Sequence, residues 1–251
     1  MATLDHIKIF NQKEIMNMRK FTKQLCLLLA CALCLCVSLI GCGEQEITDA
    51  VYVSIAVKGE MVLTYQAVAL EDKDGDGATT MADALQAAHD AHFDGTDGFI
   101  SAPSEYGLSL NKLWGDSSGA YGYMLNNASV ATSLSEPVKV GDHVYAYVYA
   151  DQTTWSDTYC YFDKAEMTVA AGESFTLTLM SAGFDENWMP VTMPVAGATI
   201  TFNGEGGEVK TNEQGQVTIT MGEKSQKDAF VISATSDAIV MVPPVCLVTV
   251  E

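Results

Sequence analysis

Residues 80–93 read TMADALQAAHDAHF, and this stretch decides the fold. Its apolar side chains recur at intervals of three and four positions, which predicts a helix with one packed face. Thr80 precedes the periodic run and Asp83 follows three positions later, a variant of the capping box that begins helices. On this pattern His92 lies at the core edge and His89 on the surface. The residues of the packed face are Met81, Ala84, Leu85, Ala88 and His92.

Short runs rich in β-branched and aromatic residues surround this helix and predict strands. Asn126-Asn127 and Gly141-Asp142 mark turns between them, whereas the glycine-rich residues 94–119 predict a long loop. One helix crossing a small mixed sheet gives an α+β domain over residues 51–163. Its predicted strands are 51–57, 62–70, 121–125, 143–149 and, closing the domain, 158–162.

The pattern changes after residue 163. Apolar residues alternate with polar ones, and Gly, Asn and Pro turns separate the runs, as in a small all-β sandwich. The sequence therefore predicts a second domain over residues 164–251. Its alternating runs are Phe175–Leu177–Leu179, Val217–Ile219–Met221, Phe230–Ile232–Ala234 and Cys246–Val248–Val250.

The helix, the run GAYGYMLNN at 119–127 and the run VKVGDHVYAYVY at 138–149 occur in an order that resembles the DUF4430 family, the transcobalamin-like C-terminal domain. The resemblance covers roughly residues 51–163. It implies a β-grasp-like fold and a small ligand, with cobalamin or another corrinoid as the candidate. Asn127 stands where the family usually has Gly, and Asn tolerates the left-handed backbone. Residues 194–221 resemble bacterial Ig-like or carboxypeptidase-regulatory-like modules.

Residues 25–41 form a short uncharged apolar run behind Arg19, Lys20 and Lys23, as in a secretory signal. The run is short for a spanning helix, which needs about 20 residues. It ends in Leu39-Ile40-Gly41-Cys42, which resembles a bacterial lipobox. We therefore expect residues 1–41 to be a signal peptide, Cys42 to carry a lipid anchor, and residues 42–50 to be a tether. The protein would then be extracytoplasmic, with the membrane as a partner through this anchor alone.

The net charge excludes one class of partner. The chain has 13 Lys+Arg and 32 Asp+Glu, a net charge of −19. Residues 1–41 hold five of the basic and two of the acidic residues, so the remaining 210 residues carry −22. Nucleic-acid binding requires a basic surface, so we expect no such partner. An acidic surface attracts divalent cations instead.

An acidic turn at residues 72–83 carries the strongest chemical pattern. Its oxygen ligands would occupy positions 1, 3, 5 and 12 of a twelve-residue calcium loop, with Gly77 at the sharp turn. Hard oxygen donors of this kind suit Ca²⁺. The alternative is a solvated acidic turn. The predicted structural calcium site consists of Asp72, Asp74, Asp76, the Ala78 carbonyl, Thr80 and Asp83.

Aromatic residues provide a candidate ligand surface. Tyr145 and Tyr147 share one face of a predicted strand, and side chains on such a face can stack on a flat ligand or a sugar. The alternative is that these rings pack across strands inside the fold. The predicted set is Trp114, Tyr121, Tyr123, Tyr145, Tyr147 and Trp155.

The cysteines leave a choice open. Four of the seven lie in the signal segment and Cys42 is assigned to the lipid, so Cys160 and Cys246 remain. These two could form a disulfide outside the cell or stay separate buried thiols.

We expect no enzymatic activity. The GDSSG run at 115–119 leads into a strand, whereas a nucleophile elbow needs a strand before it and a helix after it. Two functions stay open: capture of a small ligand, and adhesion to a surface glycan or protein.

Overall fold

A computed structural model describes residues 47, 49–130, 133–187, 189–222 and 229–251. The fold within these ranges is mostly β, in several sheets, with Met81–His92 as its only α-helix. No helix in these ranges has both the length and the apolar character needed to cross a membrane. Residues 47–251 belong to one compact unit. The predicted signal peptide and Cys42 lie outside the described residues.

The first part of the chain folds as five sheet strands, a two-stranded hairpin and the helix. The sheet has the order β2-β1-β7-β5-β6, in which β1 is antiparallel to β2 and parallel to β7. Parallel neighbours need a long crossover, and α1 lies within it. The elements are β1 (Ala50–Val57), β2 (Glu60–Ala69), α1 (Met81–His92), β3 (Ile100–Ser104), β4 (Gly107–Lys112), β5 (Tyr121–Leu125), β6 (Ala128–Ser129) and β7 (His143–Val148).

The predicted helix and its cap are confirmed. Thr80 has extended backbone and its side chain accepts a hydrogen bond from the Asp83 N–H, while the Asp83 carboxylate accepts one from the Thr80 N–H. The histidine assignment is wrong: His89 is buried and His92 is exposed. The reason is that residues 93–115 fold over the side of α1 that carries His89, which the helical period alone does not show.

Residues 94–119 contain the hairpin β3–β4 instead of only a loop. Its turn at Glu105-Tyr106 is followed by Gly107 with φ of 102°, a conformation that favours glycine. After this turn, Leu108 and Leu110 alternate with polar residues, as in a strand. The abundance of glycine in residues 94–119 obscures this strand pattern.

Two further five-stranded sheets enclose a second core. One has the order β11-β10-β8-β16, with β14 paired to the first half of β10, and the other has the order β13-β12-β15-β17-β9. Their strands are β8 (Thr158–Phe162), β9 (Glu166–Val169), β10 (Ser174–Phe184), β11 (Pro190–Pro194), β12 (Thr199–Phe202), β13 (Glu205–Lys210), β14 (Gln216–Thr220), β15 (Ala229–Thr235), β16 (Met241–Val242) and β17 (Cys246–Val250).

The strand β8 differs from its prediction. It was expected to close the first sheet, but it pairs with β10 and β16 in the second. The reason is packing: Cys160 and Phe162 on one face of β8 are buried in the second core, between the two C-terminal sheets. The expected boundary at residue 163 therefore does not separate the sheets.

A third core joins the first sheet to the other two. Tyr145 and Tyr147 of β7 pack there with Tyr159 of β8 and Val242 of β16. The alternate residues of β7, Val144, Ala146 and Val148, contact the helix-side core, as expected from side-chain alternation. The first sheet is therefore covered on both faces.

Candidate functional site

The turn between β2 and α1 brings three predicted metal ligands together. Carboxylate oxygens of Asp72, Asp74 and Asp76 all lie within 4.8 Å of one another, and the three residues are exposed. Gly75 and Gly77 have left-handed φ angles of 77° and 92°. Such angles suit glycine and let the chain turn sharply enough for the carboxylates to converge.

Backbone N–H groups hold the acidic turn in place. The Asp72 carboxylate accepts hydrogen bonds from Gly75 at 2.7 Å and Gly77 at 2.9 Å. Asp76 accepts one from Ala78 at 2.8 Å. The bond from Gly77 is the main cause that lowers the pKa of the Asp72 carboxyl. The Asp72 carboxyl therefore stays ionised at neutral pH.

No basic side chain among the described ion pairs neutralises this charge. Lys73 lies within the turn, but its ammonium contacts Asp90 at 3.0 Å and Glu71 at 3.7 Å. The other described ion pairs, Lys58 with Asp116 and Lys112 with Asp97, lie elsewhere. A cation from solvent would therefore meet three carboxylates without competition from these bases.

Asp83 lies outside the acidic cluster of the described residues, contrary to its predicted place as the twelfth-position ligand. One of its oxygens accepts the Lys73 N–H at 2.8 Å, and the other accepts the Thr80 N–H and hydroxyl at 2.8 and 2.6 Å. Thr80 is likewise engaged in the cap. The side chain of Asp is one methylene shorter than that of Glu, and here both oxygens serve to close the turn onto the helix.

The predicted aromatic surface is wrong as a single surface, because its rings lie on opposite faces of the first sheet. Tyr145 and Tyr147 are 1% and 6% exposed in the third core, and burial is the main cause that raises the pKa of both hydroxyls. Trp114, Tyr121 and Tyr123 are half-buried against the helix-side core. Rings covered by the C-terminal sheets cannot stack on a ligand from solvent.

Trp155 stands apart from both groups. It lies in the loop between β7 and β8 and is 61% exposed. Its ring centroid is 6.1 Å from that of Tyr149, and its indole N–H donates to the Gln152 carbonyl at 3.2 Å. It is the one predicted ring that is mostly open to solvent.

The loop that carries Trp114 is fixed by His89. The His89 Nδ1–H donates to the Leu85 carbonyl at 2.7 Å, and Nε2 accepts the Trp114 N–H at 2.9 Å. These roles define a neutral imidazole, and burial is the main cause that lowers its pKa. Phe99 and Trp114 surround the ring with centroids at 5.1 and 4.9 Å. His89 is therefore a structural residue that holds Trp114 in place.

No local sequence motif indicates the second buried histidine, His143, or its contact with a serine. Ser54 Oγ lies 2.9 Å from His143 Nε2, between the central strands β1 and β7. Ser54 also accepts the Tyr65 N–H at 2.9 Å and is fully buried. A Ser–His contact resembles part of a hydrolase site by residue type, but a serine without solvent access cannot meet a substrate.

Both remaining cysteines are free thiols in the second core. This agrees with the second of the two alternatives, separate buried thiols. Burial is the main cause that raises the pKa of Cys160 and of Cys246 to about 12. The thiols are therefore neutral, and a neutral thiol is a poor nucleophile and a poor metal ligand.

Comparisons with known proteins add little. No protein-family model matches the chain, and no curated protein matches it. Among solved structures, it is weakly similar to the crystal structure of the N-terminal four Ig domains of Dscam1 isoform 8.4, with 9% identity and a TM-score of 0.23. The match covers 84% of this chain and 45% of that one, so this chain spans less than half of its length.

Proposed function

We propose that this chain is a non-enzymatic, extracytoplasmic binding protein, anchored by a lipid on Cys42 and stabilised by calcium at the acidic turn. The observation that supports it best is the convergence of Asp72, Asp74 and Asp76 at the entry to α1. We also propose that the first part of the chain is a β-grasp-like domain and that a β-sandwich beginning with β8 follows it. The antiparallel pair β1–β2, the helix α1 and the parallel pairing of β7 with β1 support the first assignment.

Calcium fits the acidic turn better than a softer metal does. The donors are carboxylate oxygens, which Ca²⁺ prefers, and three of them leave further positions for water or carbonyl groups. The turn joins β2 to the cap of α1, so a bound ion would fix the start of the helix. Exposed sites outside the cell need only modest affinity, at Kd of about 10⁻⁴–10⁻³ M.

A comparison of charge variants tests this site. We expect calcium to raise the Tm of residues 43–251, which include the whole compact unit. Asp74→Asn retains the oxygen that accepts the Asp76 N–H but removes the charge, so it should abolish the calcium response. Asp94→Asn removes an exposed charge outside the cluster and serves as the matched control. An undiminished response in Asp74→Asn would contradict the proposal.

The proposed ligand is a small molecule, with cobalamin as the candidate that the family resemblance suggests. Trp114, Tyr121 and Tyr123 are the predicted rings that remain together on one face of the first sheet. Equilibrium dialysis of residues 43–251 against cobalamin in millimolar calcium tests this directly. Saturable one-to-one retention that weakens in Trp114→Leu would support it, and no retention would exclude cobalamin.

Adhesion is the second candidate function, supported by an apolar hairpin. Phe184, Met189 and Met193 of β10–β11 are 51%, 60% and 60% exposed. Exposed apolar groups of this kind occur where proteins meet partners. Binding to cells or mucin that is lost in Met189→Ser/Met193→Ser, with unchanged Tm, would favour this function over small-ligand capture.

The anchor is tested separately. Inhibition of the lipoprotein signal peptidase by globomycin should cause accumulation of the unprocessed precursor. Cys42→Ala should prevent lipid labelling, and normal labelling of that variant would contradict the assignment.

A further inference from the structure

A cleft of about 560 Å³ lies where the first sheet meets the sheet that contains β12 and β15. One wall is formed by the β1–β2 turn and the start of β2, including Glu60 and Met61. The opposite wall includes Thr201, Ser233 and Thr235. The volume is within the range of small-molecule sites. None of the aromatic residues predicted from the sequence lines this cleft.

Two hydroxyl groups line the wall of the cleft that β12 and β15 form. Thr201 and Ser233 face each other across β12 and β15, and they are 6% and 9% exposed. Within the described parts of the chain, neither side chain has a hydrogen bond. The residues themselves are buried, yet their hydroxyl oxygens are not among the buried unpaired atoms of the described chain, so they remain open to the cleft and can bind water or a polar ligand there. Thr235, one alternation further along β15, extends the hydroxyl row toward solvent.

The cleft is preformed because the third core fixes both walls. Met61 and Val231 line it and also belong to that core. The buried Tyr145 hydroxyl donates to the carbonyl of Pro243, another wall residue, at 2.5 Å. Its walls therefore require little rearrangement on binding, which reduces the entropic cost.

An adjoining cavity of about 440 Å³ shares Gly59, Thr235 and Pro243 with the cleft. The cleft and the cavity share these wall residues and together form one candidate site. Its charged wall residues are Glu60 in the cleft and Asp237 in the cavity. Both are acidic, and the chain has an excess of acidic residues, so an anionic ligand is disfavoured.

We propose that this cleft binds a neutral carbohydrate. Sugar hydroxyls can both donate to and accept from the hydroxyls of Thr201 and Ser233. The C–H face of a sugar ring can contact Met61 and Val231. This inference rests on the proposed binding function. It places the binding site at the junction between the sheets instead of beside Trp114. It does not depend on calcium.

Titrations followed by protein NMR test the site. The probes are methyl α-glucoside, methyl α-mannoside, methyl β-galactoside and N-acetylglucosamine, with glucuronate as the anionic counterpart. We expect at least one neutral sugar to cause saturable shifts at residues 201–204 and 231–235 of the 43–251 protein. Glucuronate should bind more weakly than methyl α-glucoside, because Glu60 and Asp237 repel it.

Isosteric variants assign the binding to the two hydroxyls. Thr201→Val with Ser233→Ala should weaken the sugar by about tenfold or more, since each variant removes a hydrogen bond. The single variants are measured as well, and preserved spectral dispersion establishes folding. Thr168→Val changes an exposed threonine on β9, at the far edge of the same sheet, and should have no effect.

The outcomes separate this inference from the broader function. Absence of shifts in the cleft with every neutral sugar, or undiminished binding by the double variant, overturns the carbohydrate site. Sugar or cobalamin binding at another surface would overturn the cleft while supporting a binding function. Failure of every sugar, of cobalamin and of adhesion would remove both.

Discussion

Asn127 combines two roles in one side chain. It is the second residue of the two-residue turn between β5 and β6, where both Asn126 and Asn127 have positive φ angles of 52° and 65°. A type I′ turn requires this backbone. Its side-chain oxygen also accepts a hydrogen bond from the Tyr159 hydroxyl at 2.8 Å. Tyr159 is 3% exposed, so this acceptor satisfies a buried donor.

We predict that Asn127→Gly lowers the free energy of unfolding by about 1–3 kcal/mol, although Gly is favoured at this backbone angle. The loss arises because the buried Tyr159 hydroxyl would have no acceptor. Urea denaturation of the single and double variants with Tyr159→Phe measures it. In the Tyr159→Phe background the same change should be neutral or stabilising, and an equal loss in both backgrounds would refute the explanation.

The turn at Asn126-Asn127 could be predicted from the sequence, because its signal is local. The hydrogen bond to Tyr159 could not, since that residue comes from a different sheet 32 positions later. The same distinction applies to Asp83. Its capping role follows from the spacing to Thr80, whereas its exclusion from the acidic cluster depends on the path of the whole turn.

At the level of elements, β5 fits beside β7 only because Gly122 lacks a side chain. The ring of Tyr147 lies over Gly122, and a Cβ placed there would lie 2.2 Å from that ring. The two residues are directly opposite in the register of β5 and β7. The large ring and the small residue therefore complement each other on the face that packs against the C-terminal sheets.

We predict that Gly122→Ala destabilises the protein by about 1–3 kcal/mol, the usual cost of overpacking. The cost arises because the ring of Tyr147, which is buried in the third core, would have to shift against its neighbours there. Gly183→Ala is the matched control, because no atom lies within 4 Å of the corresponding Cβ in β10. Thermal and urea unfolding of both variants should show a loss at Gly122 alone. A Gly122→Ala protein of wild-type stability would disprove the close packing.

The elements also show where sequence reasoning succeeds and fails. The helix α1 and strands such as β5 are predicted because periodicity and caps are properties of neighbouring residues. The partner of β8 is not, because its alternation fits either sheet and only the packing of Cys160 and Phe162 decides between them. Strand existence is thus a local property here, whereas strand pairing is not.

For the whole molecule, the tyrosine face of the first sheet is the main departure from expectation. An exposed aromatic face and a covered one have the same alternating sequence, so β7 alone cannot distinguish a ligand surface from a core. The C-terminal sheets cover it, and this brings Tyr145, Tyr147 and Tyr159 into one layer. The same packing produces the cleft beside Thr201 and Ser233, which no local motif indicates.

Covering this face also buries His143, which couples the stability of the protein to pH. The ring lies near Tyr65 and Tyr145, with centroids at 4.9 and 6.0 Å, and its Nε2 is bonded to Ser54. Burial lowers the pKa of His143 to about 4. The unfolded chain takes up a proton near pH 6.5, whereas the folded protein resists doing so until about pH 4. Stability from this residue is therefore complete above pH 6.5 and is lost as the pH falls toward 4.

We predict that His143 alone accounts for a loss of about 3 kcal/mol in the free energy of unfolding between pH 7 and pH 4. Buried His89, whose pKa is also lowered, acts in the same direction. The measurement is urea denaturation across this range for the wild type and for His143→Gln, which retains a polar group near Ser54 but does not titrate. The carboxylates titrate in both proteins, so the difference between the two curves isolates His143. The variant should be less stable at pH 7 and its curve flatter toward pH 4; parallel curves would mean that the buried ring is not coupled to unfolding.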